Sequence, residues 1–237
     1  MDDKKSMSLF VYLIKAKEAR ISNRQKWSLK MKTKYDELKF LINYIQSTYL
    51  DITFEWMRNR GERFNLKKSL VSSIDVNGAI YKNIMEYVQL LNNHSIVLKF
   101  SSICSCKVMA RVKTHNSIEY KIQSYKTSQH EFGQVPINKC MNDLFGVRII
   151  LDFPVTLPEI QQFIDTQYAG KYRCIDSSKG EYKAVHLYFR EDNWTFPWEL
   201  QIWRKDDVET NFASHKKYKQ EYTTWEKARK GGEIISE

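Results

Sequence analysis

The stretch Asn-Asp-Leu-Phe-Gly-Val-Arg-Ile-Ile-Leu-Asp-Phe, residues 142–153, indicates the fold class. Its nearly continuous apolar run around Ile149 is typical of a strand buried inside a sheet. Two charged residues break the pattern, because Asp143 stands just before the strand and Arg148 lies within it. A buried guanidinium without a partner is costly, so we expect Arg148 to meet an anion. Two interpretations stay open: a structural Asp143–Arg148 ion pair, or Asp143 on magnesium and Arg148 on a phosphate.

Strands and helices are predicted on both sides of this stretch. Beyond residue 93 the apolar residues alternate, whereas before it they recur at helical spacing. The predicted strands are 97–100, 108–113, 146–153, 172–175, 182–190 and 196–203, and the helices among them are 117–126, 157–167 and 205–229. We therefore expect an α/β (α+β) domain, a mixed β-sheet flanked by helices, over residues 94–237.

Residues 1–93 are predicted to form an N-terminal helical region. Helices are expected at 4–20, 23–49 and 77–92. The longest carries one apolar stripe, formed by Trp27, Met31, Tyr35, Leu38, Ile42, Ile45 and Tyr49. Four lysines lie largely off that stripe: Lys26, Lys30, Lys32 and Lys34. They form either a solvated face or a surface that binds RNA.

The chain is strongly basic. Its formal net charge is +10, and residues 1–100 hold 18 Lys and Arg against 10 Asp and Glu. This excess favours a polyanionic partner, namely nucleic acid, nucleotide phosphates or an anionic membrane face, although solubility alone is the competing explanation. We expect the first hundred residues to contact the larger anionic ligand.

The cysteines and the N-terminus indicate the compartment. Cys104 and Cys106 are too close for an ordinary disulfide and lack a second pair at zinc spacing. Together with Cys140 and Cys174, they are expected to be reduced, buried thiols. The start shows no cleavable signal pattern, and the apolar run at 9–14 is too short to cross a bilayer. We therefore expect a cytoplasmic protein with no membrane partner.

The first candidate site segment is basic. Arg111 and Lys113 are two residues apart on a predicted strand, so they project from one face. Ser117 opens the next predicted helix, and Lys121 lies one turn further on. Three cations beside the free N–H groups of a helix can clamp a phosphate, and a plain basic strand edge is the alternative.

Two later strands carry further polar side chains. Tyr182 and His186 share one face of their strand, where they can stack on a base and donate to a phosphate, although single residues of this kind often serve packing. Glu199 and Gln201 share a face of the next strand. A central carboxylate such as Glu199 suits a metal or a proton transfer. His215 follows on the last predicted helix.

Taken in order, these segments resemble the synthetase domain of the RelA/SpoT family and its single-domain relatives, the small alarmone synthetases. That family shows R-x-K…S-I…K, then D-x-x-G-x-R, Y-[KR]-x-x-H, E-x-Q-I and a late His. The matching residues are Arg111, Lys113, Ser117, Ile118, Lys121, Asp143, Gly146, Arg148, Tyr182, Lys183, His186, Glu199, Gln201, Ile202 and His215, within residues 95–220. The resemblance implies a nucleotidyltransferase-like fold and a pyrophosphokinase with ATP as donor and Mg²⁺ as cofactor.

The resemblance also implies a role for each matching residue. The catalytic set is Asp143, Glu199 and Arg148, with Asp143 and Glu199 on magnesium and Glu199 deprotonating the acceptor 3′-hydroxyl. The ATP-binding set is Arg111, Lys113, Ser117, Lys121 and Arg148, and the acceptor-binding set is Tyr182, His186, Gln201 and His215. Cations, one metal and one base are sufficient for this reaction, because its main demand is to neutralise charge on three phosphates.

Two departures from the family pattern lie near the acceptor motifs. The family usually has Asn-Gly before the Tyr and often Arg-Thr after E-x-Q-I, where this chain has Gly180-Glu181 and Trp203-Arg204. With the basic first hundred residues, they favour the toxic small alarmone synthetases, which modify tRNA 3′ ends, inhibit translation and pair with an antitoxin. The alternatives are (p)ppGpp synthesis from GDP or GTP, and a non-catalytic RNA-binding module. No hydrolase or regulatory domain is recognised, so we expect a stand-alone synthetase.

Overall fold

The computed structural model describes residues 34–94 and 107–216. The chain divides into two compact units between Ile45 and Gln46. Several predictions lie outside the described residues: the helix at 4–20, the start of the helix at 23–49, the strand at 97–100, the end of the helix at 205–229, and Lys26, Lys30, Lys32, Cys104 and Cys106. The domain boundary between residues 93 and 94 stays a prediction.

Helix α1, Lys34–Asn59, follows the predicted apolar stripe. The stripe residues buried in it are Leu38, Ile42, Ile45 and Tyr49. The helix continues past the predicted end at residue 49, because buried Ile52 and Trp56 extend the stripe at helical spacing. Helix α2, Ala79–Asn93, confirms the helix predicted at 77–92.

The strands form one mixed sheet. Their bounds are β1 Lys107–Val112, β2 Phe145–Leu151, β3 Arg173–Asp176, β4 Val185–Phe189 and β5 Trp198–Arg204. The order across the five-stranded sheet is β1-β2-β5-β4-β3. β2 and β5 run parallel, and the other neighbouring strands run antiparallel. The expected mixed sheet flanked by helices is therefore confirmed.

Four further helices lie around the sheet. They are α3 His115–Tyr125, α4 Ile137–Cys140, α5 Leu157–Tyr168 and α6 over 208–216, with 3-10 turns at Val71–Ser73, Ser128–Gly133 and Lys205–Asp207. The start predicted at 117 was two residues late. The first turn predicted for the helix at 205 was also wrong, because Arg204 forms a two-pronged ion pair with Asp207 across a tighter 3-10 turn. No helix within 34–94 or 107–216 is long and apolar enough to cross a membrane.

Alternating residues divide the sheet into an apolar and a polar face. The buried apolar residues of the last two strands are Val185, Leu187 and Phe189 in β4 and Trp198, Leu200 and Ile202 in β5. Aromatic side chains of the helices complete this core, since the Tyr49 ring lies 5.4 Å from that of Trp198, and Trp198 Nε1 donates to Tyr87 Oη at 2.7 Å. Every second residue of the strands consequently projects to the opposite, polar face.

Of the four cysteines, the described residues include Cys140 and Cys174. Both are free thiols, and Cys140 is buried as expected, whereas the expectation that Cys174 is buried was wrong, because its side chain is half-buried. Burial raises the pKa of the Cys140 thiol to about 12. Cys140 is therefore an inert residue of the core.

Candidate active site

Two rows of paired residues cross the polar face of the sheet. The first row, from β1 to β3, is Arg111, Gly146, Glu199, Tyr188 and Arg173. The second row is Met109, Arg148, Gln201, His186 and Ile175. The register of the sheet thus brings together residues from four of the five predicted motif segments.

Glu199 lies at the centre of the first row and is 7% exposed. Its carboxylate accepts hydrogen bonds from Tyr188 Oη at 3.1 Å and Gln201 Nε2 at 2.8 Å, and His186 Nδ1 lies 3.0 Å away. Burial raises the pKa of this carboxyl, but the contact with His186 outweighs it and leaves the pKa below its ordinary value. Glu199 is therefore a preorganised, ionised carboxylate.

Gln201 connects Glu199 to Arg148. Its Oε1 accepts from Arg148 Nε at 3.1 Å and from Arg148 Nη2 at 2.8 Å, while its Nε2 donates to Glu199. Both ends of the amide are occupied, so its orientation is fixed. A change at Arg148 is thereby transmitted to the position of the Glu199 carboxylate.

The Arg148 guanidinium is held by neutral groups. It lies 3.6 Å from the centroid of the Trp203 ring and 5.4 Å from that of Phe212, and its Nη2 donates to His215 Nε2 at 3.1 Å. Burial lowers the pKa of Arg148 to about 10. The open alternative of an Asp143–Arg148 pair is wrong, because in the described part of the chain both oxygens of Asp143 are bound elsewhere.

His215 accepts from Arg148 because it is neutral. Burial lowers its pKa to about 4, and the charges of Arg148 and Arg111 contribute in the same direction. Its ring also stacks on Trp203 with centroids 5.5 Å apart. The anion that was expected beside Arg148 is thus replaced by an uncharged aromatic shell, which leaves the positive charge available to a ligand.

Asp143 is the second acid of the polar face. Lys113 Nζ and Lys121 Nζ each donate to one of its carboxylate oxygens at 2.9 Å. Lys121 Nζ also lies 3.3 Å from Asn142 Oδ1. Burial raises the pKa of Asp143, but Lys121 and Lys113 outweigh it and hold this pKa well below the ordinary range. The predicted cations are therefore assembled around an ionised acid.

Arg111 and Ser117 complete the predicted basic segment. Arg111 is exposed on β1 opposite Gly146, and its charge lowers the pKa of both Arg148 and Lys113. Ser117 Oγ accepts from Thr114 Oγ1 at 2.8 Å in the first turn of α3. Arg111, Lys113, Lys121 and Arg148 thus share one electrostatic environment. Lys113 directly follows β1 and is not part of that strand.

The two acids interact electrostatically, since the charge of Asp143 raises the pKa of Glu199. Within the described ranges no group of three His, Cys, Asp or Glu residues forms a ready metal cage. Magnesium commonly takes only one or two protein carboxylates together with substrate phosphates and water. Asp143 and Glu199, both ionised, fit that requirement.

Tyr182 lies in a turn just before β4. Its backbone pairs with Lys179 around Gly180, so the prediction that Tyr182 belongs to the strand was wrong. Its hydroxyl donates to His186 Nε2 at 2.8 Å and accepts from Trp203 Nε1 at 3.2 Å. Burial raises the pKa of Tyr182 to about 12, so it is a neutral phenol. These bonds leave His186 Nδ1 to donate to Glu199.

The sequence analysis did not predict three residues that contribute to the site. Tyr188 donates to Glu199, Trp203 lies on Arg148, and Phe212 lies beyond it. Strand alternation places Tyr188 on the face of His186, which was a usable signal. Strand alternation likewise places Trp203 on the face of Glu199 and Gln201, but its contact with Arg148 was not predicted.

A mixed sheet whose polar face gathers two ionised acids and four cations is the kind of surface that can bind phosphates and stabilise charge during their transfer. Residues 110–223 match the family described as "Region found in RelA / SpoT proteins". This match identifies residues 110–223, just under half of the chain, as a RelA/SpoT region of the pyrophosphokinase type.

Solved structures of small alarmone synthetases from Bacillus subtilis are also similar. Small alarmone synthetase 1 is 19% identical with a TM-score of 0.33, covering 64% of this chain and 87% of that one. The same enzyme bound to its product pppGpp is 19% identical with a TM-score of 0.33, covering 66% and 94%. Small alarmone synthetase 2 is 18% identical with a TM-score of 0.32, covering 66% and 90%. No curated protein sequence matches the chain.

Proposed function

We propose that the chain transfers the β,γ-pyrophosphate of ATP to the 3′-hydroxyl at the 3′-CCA end of tRNA. It thereby blocks translation as the toxin of a toxin–antitoxin pair, in the cytoplasm. The observation that carries the choice of acceptor is the net charge of +10. A single nucleotide needs few cations, whereas most of the affinity for a polynucleotide comes from neutralising several phosphates.

Glu199 acts as the general base in this proposal. It is ionised, and the donors Tyr188, Gln201 and His186 hold its carboxylate in one orientation. A base that is already positioned takes the proton of the acceptor hydroxyl as the oxygen attacks the β-phosphorus of ATP. The bond between the β-phosphorus and the α,β-bridging oxygen breaks, and AMP leaves with that oxygen. His186 and Gln201 are therefore positioning residues for Glu199, and Tyr182 and His215 remain proposed contacts of the acceptor.

The ATP phosphates replace Asp143 as partners of the cations. Lys113 and Lys121 exchange a carboxylate oxygen for phosphate oxygens, and Arg111 and Arg148 contribute charge from the two neighbouring strands. This neutralises charge that builds up as pyrophosphate is transferred. Magnesium, held by Asp143 and Glu199, supplies further neutralisation of the phosphates when it is bound.

The N-terminal lysines are proposed to add to the RNA surface. Lys34 is exposed at the start of α1, and Lys26, Lys30 and Lys32 precede it in the sequence. A cognate antitoxin protein is the proposed regulatory partner, and it acts by covering either the ATP site or the RNA surface.

A label-transfer assay tests the acceptor. ATP labelled at its γ-phosphate is incubated with the protein and tRNA, GDP or GTP, and we expect label in tRNA. Glu199→Gln keeps the size of the side chain but removes the base, so we expect it to lower kcat by about 10²- to 10⁴-fold. The matched control is Glu209→Gln, an exposed acid on α6, which should keep native turnover.

The identity of the acceptor and the role of Glu199 as general base can be rejected independently of each other. Label that enters GDP or GTP and leaves tRNA unlabelled rejects the tRNA acceptor and supports (p)ppGpp synthesis. Native turnover by a correctly folded Glu199→Gln variant, with the melting temperature of the native protein, rejects Glu199 as the base.

A further inference from the structure

A groove of about 770 Å³ borders the reaction centre. Its lining comes from the loop after α1, from α4, from the loop after α5, and from β3 and β4. Its basic lining residues, which define what we call the basic groove, are Lys67, Lys139, Lys171, Arg173 and Arg190. The fold therefore brings five cations from four separate segments to one concave surface, with Lys171 and Arg173 in the same segment.

Positive charge dominates the lining of the basic groove. All five cations are exposed, and no Asp or Glu is among the lining residues in the described part of the chain. Lys171 has only neutral partners there, since its Nζ donates to Gln46 Oε1 at 3.1 Å and lies 5.4 Å from the centroid of the Tyr172 ring. Such a concentration of one sign of charge attracts a polyanion.

The groove also holds an unsatisfied polar group. The hydroxyl of Tyr172, a lining residue, is buried and has no hydrogen-bond partner among the described residues. Burial raises the pKa of Tyr172, so this hydroxyl is a neutral donor. A buried polar group without a partner is costly, but this hydroxyl is closed to solvent, so a ligand oxygen could accept from it only after a local side-chain movement.

The groove is continuous with the catalytic row. Tyr188 lines the groove and donates to Glu199 at 3.1 Å, and Arg173 pairs with Tyr188 in the sheet register. Asn142, another lining residue, accepts from Lys121 and directly precedes Asp143. A nucleic-acid strand whose terminal hydroxyl lies at Glu199 would therefore have an electropositive path away from the reaction centre.

We propose that the basic groove binds the phosphodiester backbone of the acceptor RNA, on the 5′ side of the terminal nucleotide. This inference rests on the proposed function, and it adds where the acceptor strand lies. The spread of five cations over four segments suits a chain with one phosphate per nucleotide better than the adjacent phosphates of GDP. The lining also contains Tyr172, Asn138 and Asn142, which supply the aromatic and amide contacts found in single-strand binding sites.

Binding of a short RNA tests the groove. The probe is a fluorescent eight-nucleotide single strand that ends in CCA with a free 3′-hydroxyl, and its affinity is measured by anisotropy over a range of salt concentrations. Lys139→Glu/Arg190→Glu should weaken binding by at least about tenfold. It should also lower the slope of log Kd against log salt by about 1.4, since each phosphate contact on a single strand contributes about 0.7.

A matched double variant controls for net charge. Arg63→Glu/Lys82→Glu removes the same charge from exposed positions that do not line the groove, and it should keep the native affinity and salt slope. Lys139→Gln/Arg190→Gln removes the cations without adding acids, and it should lower the slope in the same direction. Equal loss in the groove variant and the Arg63/Lys82 control overturns the inference, because the effect is then one of overall charge.

Turnover separates this inference from the proposed function. With tRNA as acceptor, the groove variant should raise the KM for tRNA at least about tenfold while the KM for ATP stays native. If the native protein labels tRNA and the variant does so with native KM, the groove inference is wrong and the function stands. If the native protein labels GDP and not tRNA, the proposed function is wrong, and the RNA groove with it.

Discussion

Glu199 owes its ionised state to its hydrogen-bond donors, and this predicts a pH dependence. The contact with His186 is the largest influence that lowers the pKa of Glu199. A lowered carboxyl pKa keeps the base ionised as pH falls, until pH passes that lowered value. We therefore expect the acid limb of kcat/KM in the native protein to lie below pH 4.5, the ordinary value for a glutamate.

The variant His186→Ala tests whether the contact with His186 causes the lowered pKa of Glu199. It removes the contact that lowers the pKa of Glu199, so the acid limb should move to higher pH while activity at pH 8 is retained in larger part. The measurement is kcat/KM from pH 4 to pH 9. An acid limb that stays in place in the variant would show that Glu199 does not depend on His186 for its ionisation.

His215 provides a second pH test that does not depend on turnover. Burial and the charge of Arg148 lower its pKa to about 4, so it stays neutral well below the ordinary histidine value of 6.5. Its ring carbon resonance, followed by NMR in protein labelled at histidine, should titrate with a midpoint near pH 4. Arg148→Gln removes one cause and should raise that midpoint; an unchanged midpoint would contradict the contact.

Residue types and their order predicted the members of this site, but not their pairings. Asp143, Glu199 and Arg148 were recognised because charged side chains beside buried strands need partners. The partners themselves, such as Gln201 and His215 for Arg148, lie 53 and 67 residues away in the sequence. Such contacts depend on strand register and helix placement, which local spacing does not encode.

At the scale of elements, Gly133 lies where the loop between α3 and α4 packs against the loop between α1 and α2. It has a φ of +81°, and a Cβ there would lie 2.8 Å from the backbone nitrogen of Ser72. Gly170 has a similar φ of +75° but nothing within 4 Å. The two glycines therefore separate the cost of the left-handed backbone from the cost of the close contact.

This difference predicts the order of two stability changes. Gly170→Ala should lower the free energy of unfolding by about 1–2 kcal/mol, the cost of a left-handed conformation for an L-residue. Gly133→Ala should cost about 1–3 kcal/mol more, because the added methyl group overpacks the backbone at Ser72. Urea denaturation measures both values, and equal values would contradict the close approach.

Element types were largely predictable, whereas their ends were not. The alternation in β4 and β5 and the stripe of α1 are strong signals, because burial selects apolar residues at fixed intervals. The first turn after β5 was predicted as α-helix and is 3-10, because the Arg204–Asp207 ion pair acts over three residues. The ends of helices and strands depend on single capping contacts and ion pairs of this kind, which the apolar pattern does not reveal.

At the scale of the whole molecule, the candidate active site and the basic groove lie in different places. The acids and cations that we propose act on ATP lie on the polar face of the sheet, while the five cations of the basic groove lie beyond Tyr188. The net charge of +10 predicted a polyanionic partner, but the sequence placed the contact among the N-terminal lysines. The basic groove could not be foreseen, because its cations come from segments that are distant along the chain.

The strand order has a consequence for synthesis on the ribosome. β5 is the last strand in the described sequence, yet it occupies the middle of the sheet between β2 and β4. The nascent protein must therefore hold an open slot until residues 198–204 emerge, and such non-local closure is slow. Since Glu199 belongs to that same strand, any nascent chain that ends before residue 198 lacks both the middle of the sheet and the proposed base.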